Sequence, residues 1–447
     1  MTQLTRREIL SRAALVAAGI TGSKMSALAN VTLGSERVHN GGDTLVVMFL
    51  RGGADGLNIV APYGDDHYYK LRPNLALPGP NDKKSSAGAR VVRLDDFFGL
   101  HPALGSLRPV LDSGQLTAVH AVGSGDQSRS HFEAMEAMER GLAQASGISS
   151  GWLARHLAVT SSQPESPIRS VAIGQVMPDS LRGATSATAL RTLSDFKLSS
   201  AYAEPTGSGG KIFHKNKKVA TTRAEAFEET LTAIYSEQKP GADSKIGGLK
   251  LGGRASLDAM RAVKRLDPDH YRPTPGTAYP AGEVGDGFKQ VACLIKGEVG
   301  LEIACLDMGG WDTHVAQGRE IGWQALRLDE LGKALAAFAH DLGPKMGRVT
   351  TIVMTEFGRR AYENSGLGTD HGRASCMLLM GGSVVAGKVH SKWPGLAPGK
   401  LDPVGDLRVT TDYRDVLAEI LDHRLKNHDL TEVFPNYTPR FQGIVRG

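Results

Sequence analysis

The sequence is poor in cysteine, with three in 447 residues, and this scarcity limits how the chain can be cross-linked. Cys293, Cys305 and Cys376 form an odd set without a C-x-x-C pair, which argues against a framework of disulfides. One bridge would still be compatible with an oxidising compartment. Because all three lie in apolar stretches, we expect buried thiols that pack as small hydrophobic side chains.

Two other features are missing, and each excludes a class of partner. After the first 29 residues no apolar run is long enough to cross a bilayer, so we expect no stable membrane insertion. The formal net charge is +5, but no block of Lys and Arg is interleaved with aromatic residues. A nucleic acid partner is therefore not expected.

The N-terminal segment has the features of a signal for export. Arg6 and Arg7 form a pair, residues 13–20 are moderately apolar, and residues 27–29 provide an A-x-A end. These features in this order are typical of a twin-arginine signal peptide, although a basic N-terminal helix is an alternative. We predict removal of residues 1–29 and export of the folded remainder, by the twin-arginine machinery, to the periplasm or out of the cell.

The rest of the chain, residues 30–447, alternates between apolar β-branched runs and amphipathic segments. Continuous apolar runs predict strands that are buried on both faces, and a helical period in the gaps predicts helices. This alternation predicts an α/β fold, doubly wound around a mostly parallel sheet. The predicted strands are 44–50, 116–122, 169–173, 300–306, 348–354 and 375–380, and the predicted helices are 131–141, 223–238, 257–266, 286–296, 324–341 and 413–425. Segments rich in Gly, Pro and Lys flank one of these helices, so we expect a helical insertion at roughly 200–285.

Acidic and imidazole side chains follow the predicted strands. Ligands of parallel sheets bind beyond the carboxyl ends of the strands, so these side chains should meet at one edge. Carboxylates that lie close together repel each other unless a cation or a proton lies between them, and a mixed Asp, Glu and His set suits Zn²⁺, Mn²⁺ or a similar ion. The predicted metal ligands are Asp55, Asp312, His314, Glu356, Asp370 and His371.

Two serines after the second strand are candidate nucleophiles. Ser130 and Glu133 have the spacing of a capping box that opens a helix at residue 131. A helix N-terminus also stabilises an anion, so a serine beside a metal there would be activated for attack. Ser128 competes with Ser130 for this role, and Arg129 would neutralise a phosphate or sulfate oxygen.

These motifs together resemble domain-of-unknown-function family 1501, whose members are exported bacterial proteins. The resemblance covers nearly the whole chain after the signal, and it is carried by residues 51–58, 130–134, 310–314, 355–359 and 369–372. That family looks related to the alkaline phosphatase and sulfatase superfamily, whose members hydrolyse phosphate or sulfate esters at metal sites. The resemblance implies an alkaline phosphatase-like fold with a small anionic ester as substrate.

The resemblance also implies roles for single residues. Asp55 takes the place of the superfamily's first metal ligand, Ser130 or Ser128 that of the nucleophile, and His371 that of the last ligand. Apart from the resemblance, we expect Arg129 or Arg359 to steady the charge of the reacting ester. Asp312 and His314 match an Asp and His pair in type but with shorter spacing, and Asp307 is an alternative for the Asp.

One departure changes the expected metal content. Where the superfamily has an Asp-His pair, this chain has Glu356-Phe357, and a phenyl ring does not bind metal. The site would then hold one ion, or two harder ions such as Ca²⁺ or Mg²⁺. Two other functions stay open, namely a non-catalytic binding or assembly protein on the same fold and a serine hydrolase of carboxylic esters that needs no metal.

Overall fold

The structure is a computed structural model that describes residues 42–160, 168–196, 230–232 and 244–447. The predicted signal at 1–29 lies outside the described residues. So do most of the helix predicted at 223–238 and much of the predicted insertion.

A nine-stranded, mostly parallel sheet forms the centre of the molecule, and a three-stranded antiparallel sheet (β2, β3 and β4) lies beside it. The strand order of the large sheet is β11-β5-β10-β9-β1-β8-β6-β7, and β12 also pairs with β5. In register, Val47 of β1 lies opposite Ile352 of β9 and Cys305 of β8. The strands are β1 (Thr44–Leu50), β2 (Val60–Ala61), β3 (Val92–Arg93), β4 (Gly99–Leu100), β5 (Leu116–Gly123), β6 (Ser170–Ile173), β7 (Ala187–Leu190), β8 (Ile303–Met308), β9 (Val349–Thr355), β10 (Ser375–Gly381), β11 (Val389–His390) and β12 (Thr411–Asp412).

Helices occupy the connections between the strands, as the periodicity predicts. Among the described residues, no helix is long and apolar enough to cross a membrane. The α-helices are α1 (Gly56–Ile59), α2 (Asp66–Leu71), α3 (Arg108–Asp112), α4 (His131–Glu139), α5 (Trp152–Val159), α6 (Ser244–Leu266), α7 (Glu283–Lys296), α8 (Trp323–Leu342), α9 (Tyr413–His423) and α10 (Leu430–Val433).

The hydrophobic core lies on both faces of the large sheet. Side chains of a strand point alternately to opposite faces, so β1 contributes Val46 and Met48 to one layer and Leu45 and Val47 to the other. The first layer includes residues of α7 and α8, and the second includes residues of α5 and α9. Burial on both faces explains why β1 reads as an uninterrupted apolar run.

The direction of β10 places one more loop at the edge where the parallel strands end. β10 is antiparallel to both of its neighbours, β5 and β9, and Ser375 at its start lies opposite Val122 near the end of β5. The loop that precedes β10 therefore meets the loops that follow β1, β5, β8 and β9. This meeting point is the edge that the sequence predicts for the functional site.

Most of the predicted elements are confirmed, but one strand is shifted, and β7 and the two-residue strands β2, β3, β4, β11 and β12 were not predicted. The strand predicted at 300–306 is found at Ile303–Met308, because residues 300–302 precede the parallel pairing with β1. β7 was not predicted, since its four residues (ATAL) carry only one large apolar side chain. The cysteine prediction is confirmed, because Cys293, Cys305 and Cys376 are free and buried.

Candidate functional site

Three histidines and one aspartate meet at this edge of the sheet. His131 is the first residue of α4, Asp312 and His314 lie in the loop after β8, and His371 lies in the loop before β10. We refer to these four residues as the His–Asp cluster. Their side chains are between 22% and 47% exposed, so solvent reaches the cluster directly.

The ligating atoms of the His–Asp cluster face a common small volume. Oδ1 of Asp312 lies 3.0 Å from Nε2 of His314 and 3.1 Å from Nε2 of His371, and these two nitrogens are 2.9 Å apart. Oδ2 of Asp312 lies 3.6 Å from Nε2 of His131, a buried atom with no hydrogen-bond partner in the described part of the chain. Ligating atoms of His131, Asp312 and His371 all lie within 4.8 Å of one another, so these three residues could hold one ion, and His314 lies beside them.

Each imidazole is held at its other nitrogen by an oxygen. Nδ1 of His131 lies 2.8 Å from Oε1 of Glu356, and Nδ1 of His314 lies 3.2 Å from Oδ1 of Asp370. Nδ1 of His371 lies 2.9 Å from the backbone carbonyl of Arg129. Because ionised carboxylate and carbonyl oxygens only accept hydrogen bonds, each Nδ1 carries the proton and a neutral ring keeps its lone pair on Nε2. Metal-binding histidines are oriented in this way.

Glu356 positions a ligand and does not join the cluster itself. Its carboxylate is buried and accepts hydrogen bonds from the Gly52 amide at 2.8 Å and the Thr355 hydroxyl at 2.9 Å, besides that of His131. Burial opposes ionisation, but the hydrogen bonds, that of His131 first, lower the pKa of Glu356. A permanent negative charge therefore faces the N–H of His131.

Phe357, which stands where a ligand would be expected, packs against the cluster. Its ring centroid lies 4.9 Å from that of His131 and 4.7 Å from that of His371. The ring leaves no room for a side chain at Gly53, where a Cβ would come 2.2 Å from the ring. Phe357 thus forms an apolar wall that restricts the two imidazoles.

Arg359 connects the loops that carry the cluster. It is buried, and its guanidinium donates to the backbone carbonyls of Gly52, Gly53, Trp311 and Thr369 and to Oδ1 of Asp312. All three of its nitrogens are used in this way. These contacts favour a role in positioning Asp312. They do not favour the predicted role, in which Arg359 steadies the charge of a substrate.

The structure does not place the Asp55 carboxylate beside the other predicted metal ligands. Arg72 contacts both carboxylate oxygens of Asp55, at 2.5 and 3.0 Å, and Gln317 donates to Oδ2 at 2.7 Å. Both members of this ion pair are buried. Asp55 lies at the predicted edge, but its carboxylate is already neutralised and hydrogen-bonded inside the protein.

The predicted nucleophiles lie in the loop that leads to His131. Ser130 is the N-cap residue of α4, as the sequence predicts. Its side chain makes no cap hydrogen bond, so the predicted capping box is not formed. The Ser128 hydroxyl donates to Asp126 at 2.7 Å. The guanidinium of Arg129 pairs with the buried Asp406, which engages it away from the cluster. Arg129 has a φ of 55°, and its carbonyl is the one that anchors His371.

The electrostatics of the cluster keep Asp312 ionised. Partial burial opposes ionisation, but the Arg359 guanidinium, through its hydrogen bond and its charge, holds the pKa of Asp312 at about 2. The hydrogen bond to Glu356 raises the pKa of His131, whereas burial, with Arg359 and His131 nearby, lowers the pKa of His371. Hydrogen bonds from Asn364 and His314 lower the pKa of Asp370.

The sequence missed one member of the cluster, which is His131. The prediction treated residue 131 as the start of a helix and gave the chemistry to the serines before it. The signal was present, because His131 follows a buried strand just as His314 does. The alternative Asp307 is not in the cluster, since it pairs with Arg51 at 2.9 Å. Of the predicted ligands, Asp312, His314 and His371 are brought together, whereas Asp370 is the hydrogen-bond partner of His314 and Glu356 is that of His131.

Two comparisons with known proteins gave different results. The search of curated proteins found no match. Residues 43–435 match the family described as "Protein of unknown function (DUF1501)". This match spans nearly all of the described residues, including every member of the His–Asp cluster, and the chain therefore belongs to the DUF1501 family.

Proposed function

We propose that this protein is an exported, metal-dependent hydrolase of phosphate or sulfate esters. The observation that carries the proposal is the convergence of three Nε2 atoms on Asp312, with every Nδ1 engaged by an oxygen. The buried Nε2 of His131, which has no hydrogen-bond partner among the described residues, supports it, because an unpaired buried polar atom is costly unless a ligand satisfies it.

The ligand set favours Zn²⁺ or a similar borderline transition ion. Imidazole suits Zn²⁺ and its neighbours, whereas Ca²⁺ and Mg²⁺ prefer oxygen ligands, of which the cluster offers only the carboxylate of Asp312. We propose one ion rather than two, because Phe357 stands in place of a second histidine and Asp55 is paired with Arg72. Mn²⁺ remains within the same proposal.

The protein's own residues would bind and orient the ion and prepare an attacking group. Glu356, Asp370 and the Arg129 carbonyl hold the three rings in place, and Phe357 shields one side from water. A bound ion would supply Lewis-acid polarisation of the ester and would lower the pKa of an attacking hydroxyl. No other cofactor is needed for this chemistry.

Ser130 is our proposed nucleophile. It directly precedes His131, and its hydroxyl is not consumed by the helix cap. Ser128 is the weaker choice, since its hydroxyl is engaged with Asp126 and also accepts from the Ser130 amide. We further propose that the fold is of the alkaline phosphatase and sulfatase type, with the mostly parallel sheet and the position of the cluster at its edge as support.

Hydrolysis assays test the function. The mature protein should cleave p-nitrophenyl phosphate or p-nitrophenyl sulfate, lose this activity to a chelator and regain it with Zn²⁺. Ser130→Ala should abolish turnover and leave metal content unchanged, with Ser128→Ala as the matched control that retains activity. Cleavage of p-nitrophenyl acetate that is insensitive to chelator would instead identify a serine hydrolase of carboxylic esters.

A binding or assembly protein without turnover is the second candidate. Its supporting observation is that Arg129 and Arg359, which would steady the charge of an ester, are engaged with Asp406 and with backbone carbonyls. Stoichiometric metal together with no hydrolysis of either ester would favour this function.

We also propose export by the twin-arginine route, on the strength of the Arg6-Arg7 pair and the A-x-A end at residues 27–29. Replacement of both arginines by lysine should retain the precursor in the cytoplasm, and N-terminal sequencing of the exported protein should begin near Asn30. Efficient export of the double variant would refute the route.

A further inference from the structure

The loop that leads to His131 contains an arginine in an unusual backbone conformation. Arg129 has a φ of 55°, which lies in the left-handed region. Glycine adopts this conformation readily, but it is unfavourable for other residues because the Cβ comes too close to the backbone. Contacts beyond the backbone of Arg129 must therefore stabilise it.

The conformation of Arg129 determines where its carbonyl points. That carbonyl lies 2.9 Å from Nδ1 of His371 and so orients one imidazole of the His–Asp cluster. Rotation of the Arg129 backbone to the common right-handed region would turn the carbonyl away from this nitrogen. His371 would then lose the acceptor that keeps its proton on Nδ1 and its lone pair on Nε2.

A buried carboxylate holds the Arg129 side chain. Nε of Arg129 donates to Oδ2 of Asp406 at 2.9 Å, and Nη2 donates to the same oxygen. The Asp406 side chain is fully buried, whereas that of Arg129 is 28% exposed. Hydrogen bonds between ionised groups are strong, so a carboxylate fixed in the interior restricts the guanidinium that it binds.

The segment that carries Asp406 is fastened to two loops at the edge where the cluster lies. The Ala361 amide donates to the Gly405 carbonyl at 2.9 Å, and the Ala374 amide donates to the Leu407 carbonyl at 3.3 Å. The first amide lies in the loop after β9, and the second lies in the loop that precedes β10. Asp406 therefore has a fixed position relative to the cluster.

Other hydrogen bonds of the loop before α4 stay within that loop. The Ser128 hydroxyl donates to Asp126 and accepts from the Ser130 amide. The pair between Arg129 and Asp406 instead connects this partly exposed loop to the interior.

We infer that Asp406 is a positioning residue of the metal site, which acts on His371 through Arg129. The carboxylate holds the Arg129 side chain, the left-handed backbone directs the Arg129 carbonyl, and the carbonyl orients the imidazole. This inference rests on the proposed function, because it takes the His–Asp cluster to be a metal site. An arginine at a position that favours glycine is useful here, since its guanidinium supplies the attachment.

Substitution of Asp406 tests the inference through the zinc affinity of the mature protein. Asp406→Ala should lower this affinity about tenfold, as loss of a residue that orients a metal ligand typically does. Asp406→Asn should recover part of the loss, because its amide oxygen still accepts from Arg129. The matched control is Asp43→Ala, which opens a pair with Arg424 next to the start of β1 and should bind zinc as the wild type does.

Substitution of Arg129 separates positioning from a general loss of stability. Glycine adopts the left-handed conformation more easily than alanine, so Arg129→Gly should retain more zinc affinity than Arg129→Ala. At an ordinary position glycine is the more damaging of the two, so a merely structural role predicts the opposite order. Asp406→Ala should cause no further loss in the Arg129→Ala protein, because both changes break the same pair.

The outcomes separate this inference from the proposed function. A wild type that binds zinc and an Asp406→Ala variant that binds it equally tightly overturn the inference alone. So does weaker binding by Arg129→Gly than by Arg129→Ala, or a loss in Asp406→Ala that adds fully to that in Arg129→Ala. If Asp406→Ala does not fold, the order of the two Arg129 variants decides. If the wild type binds no zinc, the proposed function fails as well.

Discussion

Asp55 and Asp312 lie at the same edge of the same sheet, after neighbouring strands β1 and β8, but their carboxylates meet different surroundings. Asp55 is buried against Arg72 and Gln317, so its charge and its hydrogen bonds are satisfied within the protein. Asp312 is 47% exposed and faces three imidazole nitrogens, one of which has no hydrogen-bond partner among the described residues. A carboxylate at a strand end therefore contributes to stability or to ligand binding according to whether its partners are complete.

Removal of Asp55 should have the largest effect on stability. Asp55→Ala leaves Arg72 as an unpaired buried charge, and breaking such a pair costs about 3–5 kcal/mol. Urea unfolding followed by circular dichroism measures this loss, with Asp329→Ala, at an exposed pair with Lys333, as a control that should cost less than about 1 kcal/mol. A stable Asp55→Ala protein that cannot bind metal would place Asp55 in the functional site.

Removal of Glu356 should weaken the cluster without removing a ligand. Loss of such an orienting partner typically lowers metal affinity about 10- to 100-fold, so we expect this drop for Glu356→Ala. Glu356→Gln should recover part of it, since the amide oxygen can still accept from His131. Competition with a zinc-chelating dye gives the affinities. If the Ala and Gln variants are equally weak, the role of Glu356 is not that of an orienting hydrogen-bond acceptor.

Acidification should act on the two states of the cluster in opposite directions. Protonated His131 does not bind metal, so affinity should fall, by up to about tenfold per pH unit for each displaced proton, as pH drops through the raised pKa of His131. In the metal-free protein the same raised pKa is stabilising below the ordinary value of about 6.5, and this contribution is lost as pH rises above it. His101 and His120 have lowered pKa values and destabilise both proteins on acidification, so the contribution of His131 is read as the difference between the wild type and His131→Asn. In thermal melts at pH 5.5 to 8, this difference should change in opposite directions with and without zinc. Parallel trends would contradict the coupling.

Glu133 should have the smallest effect. Its side chain is exposed and Ser130 makes no side-chain cap, so Glu133→Ala should change the free energy of unfolding by less than about 0.5 kcal/mol. The same urea titration checks this. A loss of about 1 kcal/mol would show that the capping box predicted from the sequence does form.

The sequence predicts the elements of this fold better than their directions. Strand β1 is almost entirely apolar and strand β9 is a run of apolar residues and threonines, because both faces of each are covered, and such runs are visible without the structure. The reversal of β10 depends on pairing with β5 and β9, which are distant in the chain, and no local pattern records it.

For the candidate site, the sequence identifies the edge but not the partner of each side chain. Asp55 and Asp312 both follow apolar strands, and only the position of α2 shows that Arg72 reaches Asp55. Glu356 was predicted as a ligand because carboxylates bind metals, but the approach of the Gly52 amide and His131 assigns it to positioning. His131 was missed because helix capping gave its segment a sufficient local explanation.

The metal content of the purified mature protein tests the central claim most directly. Elemental analysis should find one Zn²⁺ or similar ion per chain, lost in His131→Ala and retained in His270→Ala, whose side chain is 80% exposed and pairs with Asp267. A wild-type protein that binds no divalent ion, or a His131→Ala variant that keeps the full amount, would contradict the claim that the cluster is a metal site.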